Sequence, residues 1–213
     1  MEIIKKTIKQ ATWAELKAAA EAGTIGEMIQ SGDLIPFTLK SGEEVAVRAT
    51  HDGNGKLFFV LEDCMKDEHC MNEEWTNKGG WDACDMRKYL NTAVFDLLPD
   101  DLQAVIVPTT IVQIVRGKRV ESVDKLFLLS KTQVFGKGDW TGNEPEDTQL
   151  DCFLREKDRV KECAAQGTWW WWLRSPVASS SSYFYYVNYY GSSTNSNSGA
   201  SLSRGVAFGF CLI

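Results

Sequence analysis

Residues 177–203 read VASSSSYFYYVNYYGSSTNSNSGASLS, and this tract decides what kind of fold the chain has to build. It holds ten serines, five of the six tyrosines and three asparagines but no charged residue, although 24% of the whole sequence is charged. Tyrosine supplies a large, stiff contact surface at low entropic cost, and serine, glycine and asparagine supply adaptable hydrogen bonds, as in antibody binding loops. The composition therefore predicts a surface that binds and does not catalyse.

The segments on either side indicate that this tract belongs to a folded domain. Residues 169–173 are an aromatic, strand-like run, and residues 204–213, RGVAFGFCLI, read as a buried terminal strand. We expect a tract held between two core strands to be ordered. The alternative is a disordered Ser/Asn linker, but such linkers are normally poor in aromatic residues, and residues 183–190 contain six.

The N-terminal part of the sequence predicts a helix followed by a β-hairpin. Thr12 and Glu15 fit a capping box at the start of a helix, and Gly23 is suited to end it. Residues 43–49 and 56–62 read as strands on either side of an Asp-Gly-Asn-Gly turn. Helical and extended structure thus follow each other closely.

The middle of the chain continues this mixture. An amphipathic helix is predicted over 86–94, strands over 111–115 and 125–130, and a charged helix over 151–163. Because the order does not follow strict βαβ alternation, the sequence predicts an α+β fold with short mixed strands and two or more flanking helices. No repeat or change of composition divides the chain, so we expect a single domain over 1–213.

Charge and hydropathy exclude several classes of partner. The net charge is −6 and no basic run occurs, which argues against nucleic acid and anionic membranes as partners. No apolar window approaches the ~20 residues of a membrane span, and the N-terminus lacks the apolar core of a secretory signal. We expect a protein that is made in the cytoplasm and can become a component of a virion or a cell surface.

Metal-binding patterns are weak. Cys64, His69, Cys70 and Cys84 are suitable zinc ligands, but their spacing is not that of a known finger. The acidic segment 143–147 offers oxygen ligands for calcium, although an ordinary solvated turn explains it better. We therefore predict no metal and no cofactor, and reduced cysteines in the absence of an export signal.

Catalytic motifs are absent from the sequence. The only histidines are His51 and His69, and no G-x-S-x-G, Walker A or G-x-G-x-x-G pattern occurs. A serine or cysteine nucleophile normally needs an adjacent base. We predict no catalytic residue and no enzymatic activity.

Taken with their spacing, several segments resemble the variable proteins of diversity-generating retroelements, which are common in phages and bacteria of the gut. The segments lie before, around and after the tract: GGW at 79–81, MRKYLN at 86–91, LP at 98–99, DKLFLLS at 124–130, WWLRSP at 171–176, Val187, Gly191, and GV at 205–206. One departure is that Ala207-Phe208 stands where many relatives carry Arg-Pro.

The resemblance implies a C-type-lectin-like fold, as in formylglycine-generating-type domains, with 177–203 as a variable ligand-binding region rewritten at adenines of its codons. An asparagine codon randomised at its two adenines never yields Trp, Met, Lys, Glu or Gln. Residues 177–203 contain none of these five amino acids.

The same resemblance implies which positions vary and what the protein does. The expected ligand-binding residues are Ser180, Ser182, Tyr183, Phe184, Tyr185, Tyr186, Asn188, Tyr189, Tyr190, Ser193, Thr194, Asn195 and Asn197. The expected ligand is a macromolecule, either a protein or a cell-surface structure, such as the receptor of a phage. Two alternatives stay open: a metal-dependent enzyme or lectin on the same fold, with Cys152 and Cys163 as a candidate pair, and a structural virion or surface domain.

Overall fold

The computed structural model describes residues 11–138, 143–163, 166–192 and 197–213. This part of the chain is an α+β domain of short helices and many small strands. Its α-helices are α1 (Trp13–Glu21), α2 (Asp85–Tyr89), α3 (Phe95–Leu97), α4 (Asp100–Val105) and α5 (Lys131–Phe135), with a π-helical turn (Leu90–Val94) between α2 and α3. The described residues also include the 3-10 segments Ile25–Glu27, Asp151–Phe153 and Glu156–Arg159.

The strands of the described chain are β1 (Leu34–Thr38), β2 (Glu44–His51), β3 (Leu57–Leu61), β4 (His69–Cys70), β5 (Thr109–Val115), β6 (Lys118–Asp124), β7 (Phe127–Leu128), β8 (Lys161–Cys163), β9 (Gly167–Trp169), β10 (Trp171–Pro176), β11 (Tyr183–Val187), β12 (Asn197–Gly199), β13 (Ser203–Arg204) and β14 (Phe208–Phe210). The largest sheet has the order β1-β2-β3-β14-β7, and its neighbouring strands are antiparallel.

The terminal strand predicted at 204–213 is confirmed, because β14 lies inside the largest sheet. Gly209 faces Val60 of β3 on one side and Phe127 of β7 on the other. Phe208 and Phe210 are fully buried. The segment that follows the Ser/Tyr tract is therefore built into the centre of the core.

The helix and hairpin predicted near the N-terminus are also confirmed. The Thr12 hydroxyl accepts a hydrogen bond from the Glu15 amide, and the Glu15 carboxylate accepts one from the Thr12 amide. Gly23 follows the helix with a φ of 72°, a conformation that favours glycine. Strands β2 and β3 pair in antiparallel register from Val47↔Leu61 to His51↔Leu57.

The charged helix predicted over 151–163 is wrong. This segment forms two 3-10 turns followed by β8. Its polar side chains have tertiary partners: the Asp151 carboxylate accepts hydrogen bonds from the Ser31 and Thr50 hydroxyls, and Lys161 is buried. Leu154 in the same segment is 63% exposed. These contacts with β2 and its surroundings override the local helical pattern.

The tract is anchored in a second sheet with the order β10-β11-β12. Trp171 and Trp172 of β10 point to opposite faces of this sheet, and both are fully buried. The Arg174 amide donates to the Leu129 carbonyl at 2.9 Å, and the Trp172 amide donates to the Gly205 carbonyl at 3.0 Å. Strand β10 is therefore hydrogen-bonded to the segments around Leu129 and Gly205 in addition to its pairing with β11.

The acidic segment 143–147 contains the turn that the sequence favoured, with Pro145 and Glu146 exposed, but it is only partly solvated. Glu144 is completely buried, and its carboxylate accepts hydrogen bonds from the Thr132 amide and hydroxyl and from the Ser175 hydroxyl. Asp147 forms an ion pair with the buried Arg174 guanidinium. Burial raises the pKa of Glu144. This network fastens the acidic segment to α5 and β10, directly behind the tract.

Candidate functional site

The predicted binding residues lie on and around β11 and β12, and their exposure differs widely. Tyr190, Tyr189 and Tyr183 are exposed, at 67%, 39% and 37%. A second group is half-buried: Ser180, Ser182, Tyr185, Tyr186, Asn188 and Asn197. Ser193, Thr194 and Asn195 lie outside the described residues. The three exposed rings are thus the most accessible of the described candidates.

Phe184 is a correction to the predicted set. Its side chain is fully buried and belongs to the hydrophobic core. Side chains alternate between the two faces of a strand, so Phe184 points inward while its neighbour Tyr183 points to solvent. Tyr185 and Tyr186 are intermediate and also pack against the core. Composition alone cannot separate these two orientations within one tyrosine-rich strand.

Trp169, Trp170, Tyr186, Tyr189 and Tyr190 form one group of rings, which we call the aromatic platform. Trp170 stacks on Trp169 at 5.2 Å between ring centroids and on Tyr189 at 6.2 Å, and it contacts Tyr186 at 5.5 Å. The ring centroids of Tyr189 and Tyr190 are 4.1 Å apart, and the neighbouring Tyr190 side chain raises the pKa of Tyr189. The platform runs from the core outward to Tyr190.

The positively charged side chain of Arg204 lies at the inner end of the aromatic platform. The Arg204 guanidinium lies 4.7 Å from the Trp170 ring and 5.9 Å from the Tyr186 ring, within the range of a cation–π contact. It donates to the Ser198 hydroxyl at 3.1 Å. Burial lowers the pKa of Arg204. The guanidinium therefore packs the platform against β12.

The turn that carries Tyr189 and Tyr190 is held by several hydrogen bonds. The Asn188 side-chain oxygen accepts from the amides of Tyr190 and Ser192, at 2.9 and 3.0 Å. Gly191 adopts a φ of 77°, and a Cβ atom there would lie 2.0 Å from the Glu156 carbonyl oxygen. Asn188, predicted as a ligand contact, thus uses its side-chain oxygen to shape the turn that presents the tyrosines.

A second aromatic contact lies at the other end of β11 and involves residues that sequence reasoning missed. Trp75 is 52% exposed and meets Tyr183 edge-on at 5.9 Å. A Cβ atom on Gly199 would lie 2.1 Å from the Trp75 ring, so only glycine lets the indole cross β12 so closely. Trp75 is distant in sequence from the tract, and no local pattern marks it as part of this surface.

Asn77 fixes the loop between β10 and β11. It is 3% exposed, and its side-chain amide donates to the carbonyls of Val177, Ser180 and Tyr183 at 3.3, 3.0 and 2.8 Å. Its backbone amide donates to the Ser181 carbonyl at 2.9 Å. One buried side chain thus orders the serine-rich start of the tract.

The described part of the chain holds no group of three or more His, Cys, Asp or Glu placed to bind a metal ion. The four residues considered for zinc do not form such a group, and two of them have other neighbours: Cys64 lies beside Cys163, and the His69 ring stacks on Tyr89. Among the helices of the described residues, none has the length and apolar character needed to span a membrane.

Sequence comparison places the chain in a family. No curated protein and no solved structure is significantly similar to it. A family model described as a domain of unknown function, DUF6273, matches residues 54–212. The match covers most of the chain, including the aromatic platform, Trp75 and the complete tract. The chain therefore belongs to the DUF6273 family.

Proposed function

We propose that this chain is a non-enzymatic ligand-binding protein and that the exposed rings of Tyr183, Tyr189 and Tyr190 are its main contact residues. The observation that carries the proposal is that these rings are exposed while the backbone beneath them is fixed, by Asn77 at one end and by Asn188 at the other. A surface that is ordered before it meets its ligand loses less entropy on binding.

The ligand that fits this surface is a macromolecule. Tyr183 with Trp75, and Tyr189 with Tyr190, form two exposed aromatic patches at opposite ends of β11. Small molecules normally bind in concave sites that enclose them, whereas tyrosine and tryptophan are enriched at the energetic centres of protein interfaces. A protein or another cell-surface structure, such as a phage receptor, is the partner class that we propose.

We further propose that the fold is C-type-lectin-like and that 177–203 is a diversified region of a retroelement variable protein. Supporting this, the positions that the resemblance leaves fixed are buried: residues 171–175, Val187 and Gly191. Most positions that it lets vary are exposed or half-buried, with Phe184 as the exception among the described residues. Exposed substitutions usually change stability by less than about 0.5 kcal/mol, so such a surface tolerates repeated change.

Binding is tested with the variant Tyr183→Ser/Tyr189→Ser/Tyr190→Ser. Fluorescently labelled full-length chain is titrated onto a panel of gut bacterial cells, and bound protein is measured by flow cytometry. We expect the variant to lose at least about tenfold in affinity for every strain that the parent binds, because tyrosines at an interface centre carry much of the binding energy. The matched control is Val123→Ser, which removes an apolar side chain that is 60% exposed on β6.

Binding that is equal for the parent and the triple variant would refute the assignment of these rings as the main contact residues.

Diversification is tested separately in the genome. A nearby copy of the codons for 177–203 that differs at adenines, together with a reverse transcriptase gene, is the expected finding. Identical tracts in all sister copies of the gene would instead favour a structural surface domain.

A further inference from the structure

Two cysteines that are distant in the sequence are in contact within the core. Cys64 follows β3 and Cys163 ends β8, and their side chains are neighbours because both sulfurs lie against Gly205. The Cys64 amide also donates to the Glu162 carbonyl at 2.9 Å, so the two segments run side by side. The pair differs from the Cys152–Cys163 pair that the sequence suggested, since Cys163 has Cys64 as its thiol partner.

Gly205 lies directly over this pair. A Cβ atom on Gly205 would be 2.5 Å from the Cys64 sulfur and 2.7 Å from the Cys163 sulfur. Both sulfurs therefore face the same α-carbon, and they have room there because Gly205 has no side chain. The Gly205 amide donates to the Trp170 carbonyl at 2.9 Å, which ties this position to the aromatic platform.

One of the two cysteines borders a cleft that opens to solvent. Cys64 lines a cleft of about 350 Å³ together with residues of β1, β2 and the end of β3. Cys64 is 8% exposed and Cys163 is 2% exposed. A small reagent in the cleft would thus meet Cys64 first, with Cys163 behind it.

We propose that Cys64 and Cys163 are a dithiol modification site that a low-molecular-weight disulfide oxidises to an intramolecular disulfide. The Cys64 thiolate attacks one sulfur of the reagent, whose S–S bond breaks and releases the first thiolate. Cys163 then loses its proton and attacks the Cys64 sulfur of the mixed disulfide, which releases the second thiolate. The two protein thiols are oxidised, and the reagent is reduced to two thiols that take up the two protons.

The order of attack follows from the exposure of the two thiols, and the rate follows from their environment. The neighbouring Cys163 thiol and burial raise the pKa of Cys64, while the charge of the nearby Lys161 acts in the opposite direction. Since the thiolate is the nucleophile, the reaction is slow at neutral pH and accelerates as the pH rises. The S–S bond of about 2.05 Å requires the two sulfurs to approach each other further.

The test is to treat the folded full chain with excess oxidised glutathione at mildly alkaline pH and to map the cysteines by mass spectrometry without reduction. We expect two of the six thiols to disappear and one cross-linked peptide pair to join Cys64 to Cys163. Dithiothreitol should restore all six thiols. A different pairing, or unchanged Cys64 and Cys163 thiols under these conditions, overturns the proposal.

Two variants test the order of attack. Cys163→Ser should accumulate a glutathione adduct on Cys64, because the resolving thiol is missing. Cys64→Ser should leave Cys163 unmodified, since Cys163 is shielded. The matched control, Cys70→Ser, removes a half-buried cysteine and should retain the cross-link. An adduct on Cys163 in the Cys64→Ser variant contradicts the proposed route, and the map of the parent chain decides the pairing if either variant fails to fold.

Discussion

Arg174→Met is expected to lower the free energy of unfolding by about 3–5 kcal/mol, the usual cost of removing one partner from a buried ion pair. Arg174 is 1% exposed and donates to the Leu128 carbonyl at 2.8 Å and to the Gln133 side-chain oxygen at 2.7 Å, in addition to its ion pair with Asp147. Methionine fills much of the same volume but removes the guanidinium that pairs with Asp147 and stabilises the charged form of Glu144. Urea denaturation followed by tryptophan fluorescence measures the loss.

Arg119→Met is the matched control for this prediction. Arg119 also contacts two carboxylates, those of Glu121 and Glu146, but its side chain is 50% exposed. Exposed ion pairs contribute about 0–1 kcal/mol, so this variant should differ little from the parent. Adding Glu144→Gln to Arg174→Met should recover part of the loss, because it removes a buried negative charge. Equal stabilities of Arg174→Met and Arg119→Met would show that the buried network does not hold β10.

Gly191→Ala is expected to cost about 2–4 kcal/mol, through a left-handed backbone conformation and a steric clash. The added methyl would lie 2.0 Å from the Glu156 carbonyl oxygen and 2.8 Å from its carbon, both backbone atoms that cannot move independently. The turn that carries Tyr189 and Tyr190 must therefore shift. We expect weaker binding as well as lower stability, measured by denaturation and by the cell-binding titration.

Gly117→Ala separates the cost of the left-handed backbone conformation from the cost of the steric clash. Gly117 has nearly the same φ, 76°, and its added methyl would meet no atom within 4 Å. It should show only the conformational cost, on the order of 1–2 kcal/mol, with unchanged binding. If Gly191→Ala costs no more than Gly117→Ala, the close contact with Glu156 does not fix the turn.

Local signals in the sequence were sufficient to predict much of the fold. The capping box at Thr12, the β2–β3 hairpin and the terminal strand β14 are all confirmed, because capping, turn chemistry and a continuous apolar run act over a few residues. The charged segment 151–163 could not be predicted in this way. Its structure depends on bonds from Asp151 to Ser31 and on the burial of Lys161, neither of which is visible in its own sequence.

The surface was predicted less completely than the fold. Composition pointed to the tract, but it did not distinguish the buried Phe184 from the exposed Tyr183 beside it. The contribution of Trp75 arises because Gly199 lets the indole lie across β12, which is a tertiary contact. The burial of Glu144 within an apparently ordinary acidic segment likewise depends on partners from two other elements.

Thermal unfolding of Tyr183→Ser/Tyr189→Ser/Tyr190→Ser tests most directly whether these rings serve recognition and not the core. Because the three rings are exposed, we expect the triple variant to have a Tm within about 5 °C of the parent. Phe184→Ser opens a cavity at the adjacent core position and should lower the Tm by about 10 °C or more. A drop in the triple variant as large as that of Phe184→Ser would contradict the account, because the tyrosines would then be part of what holds the protein together.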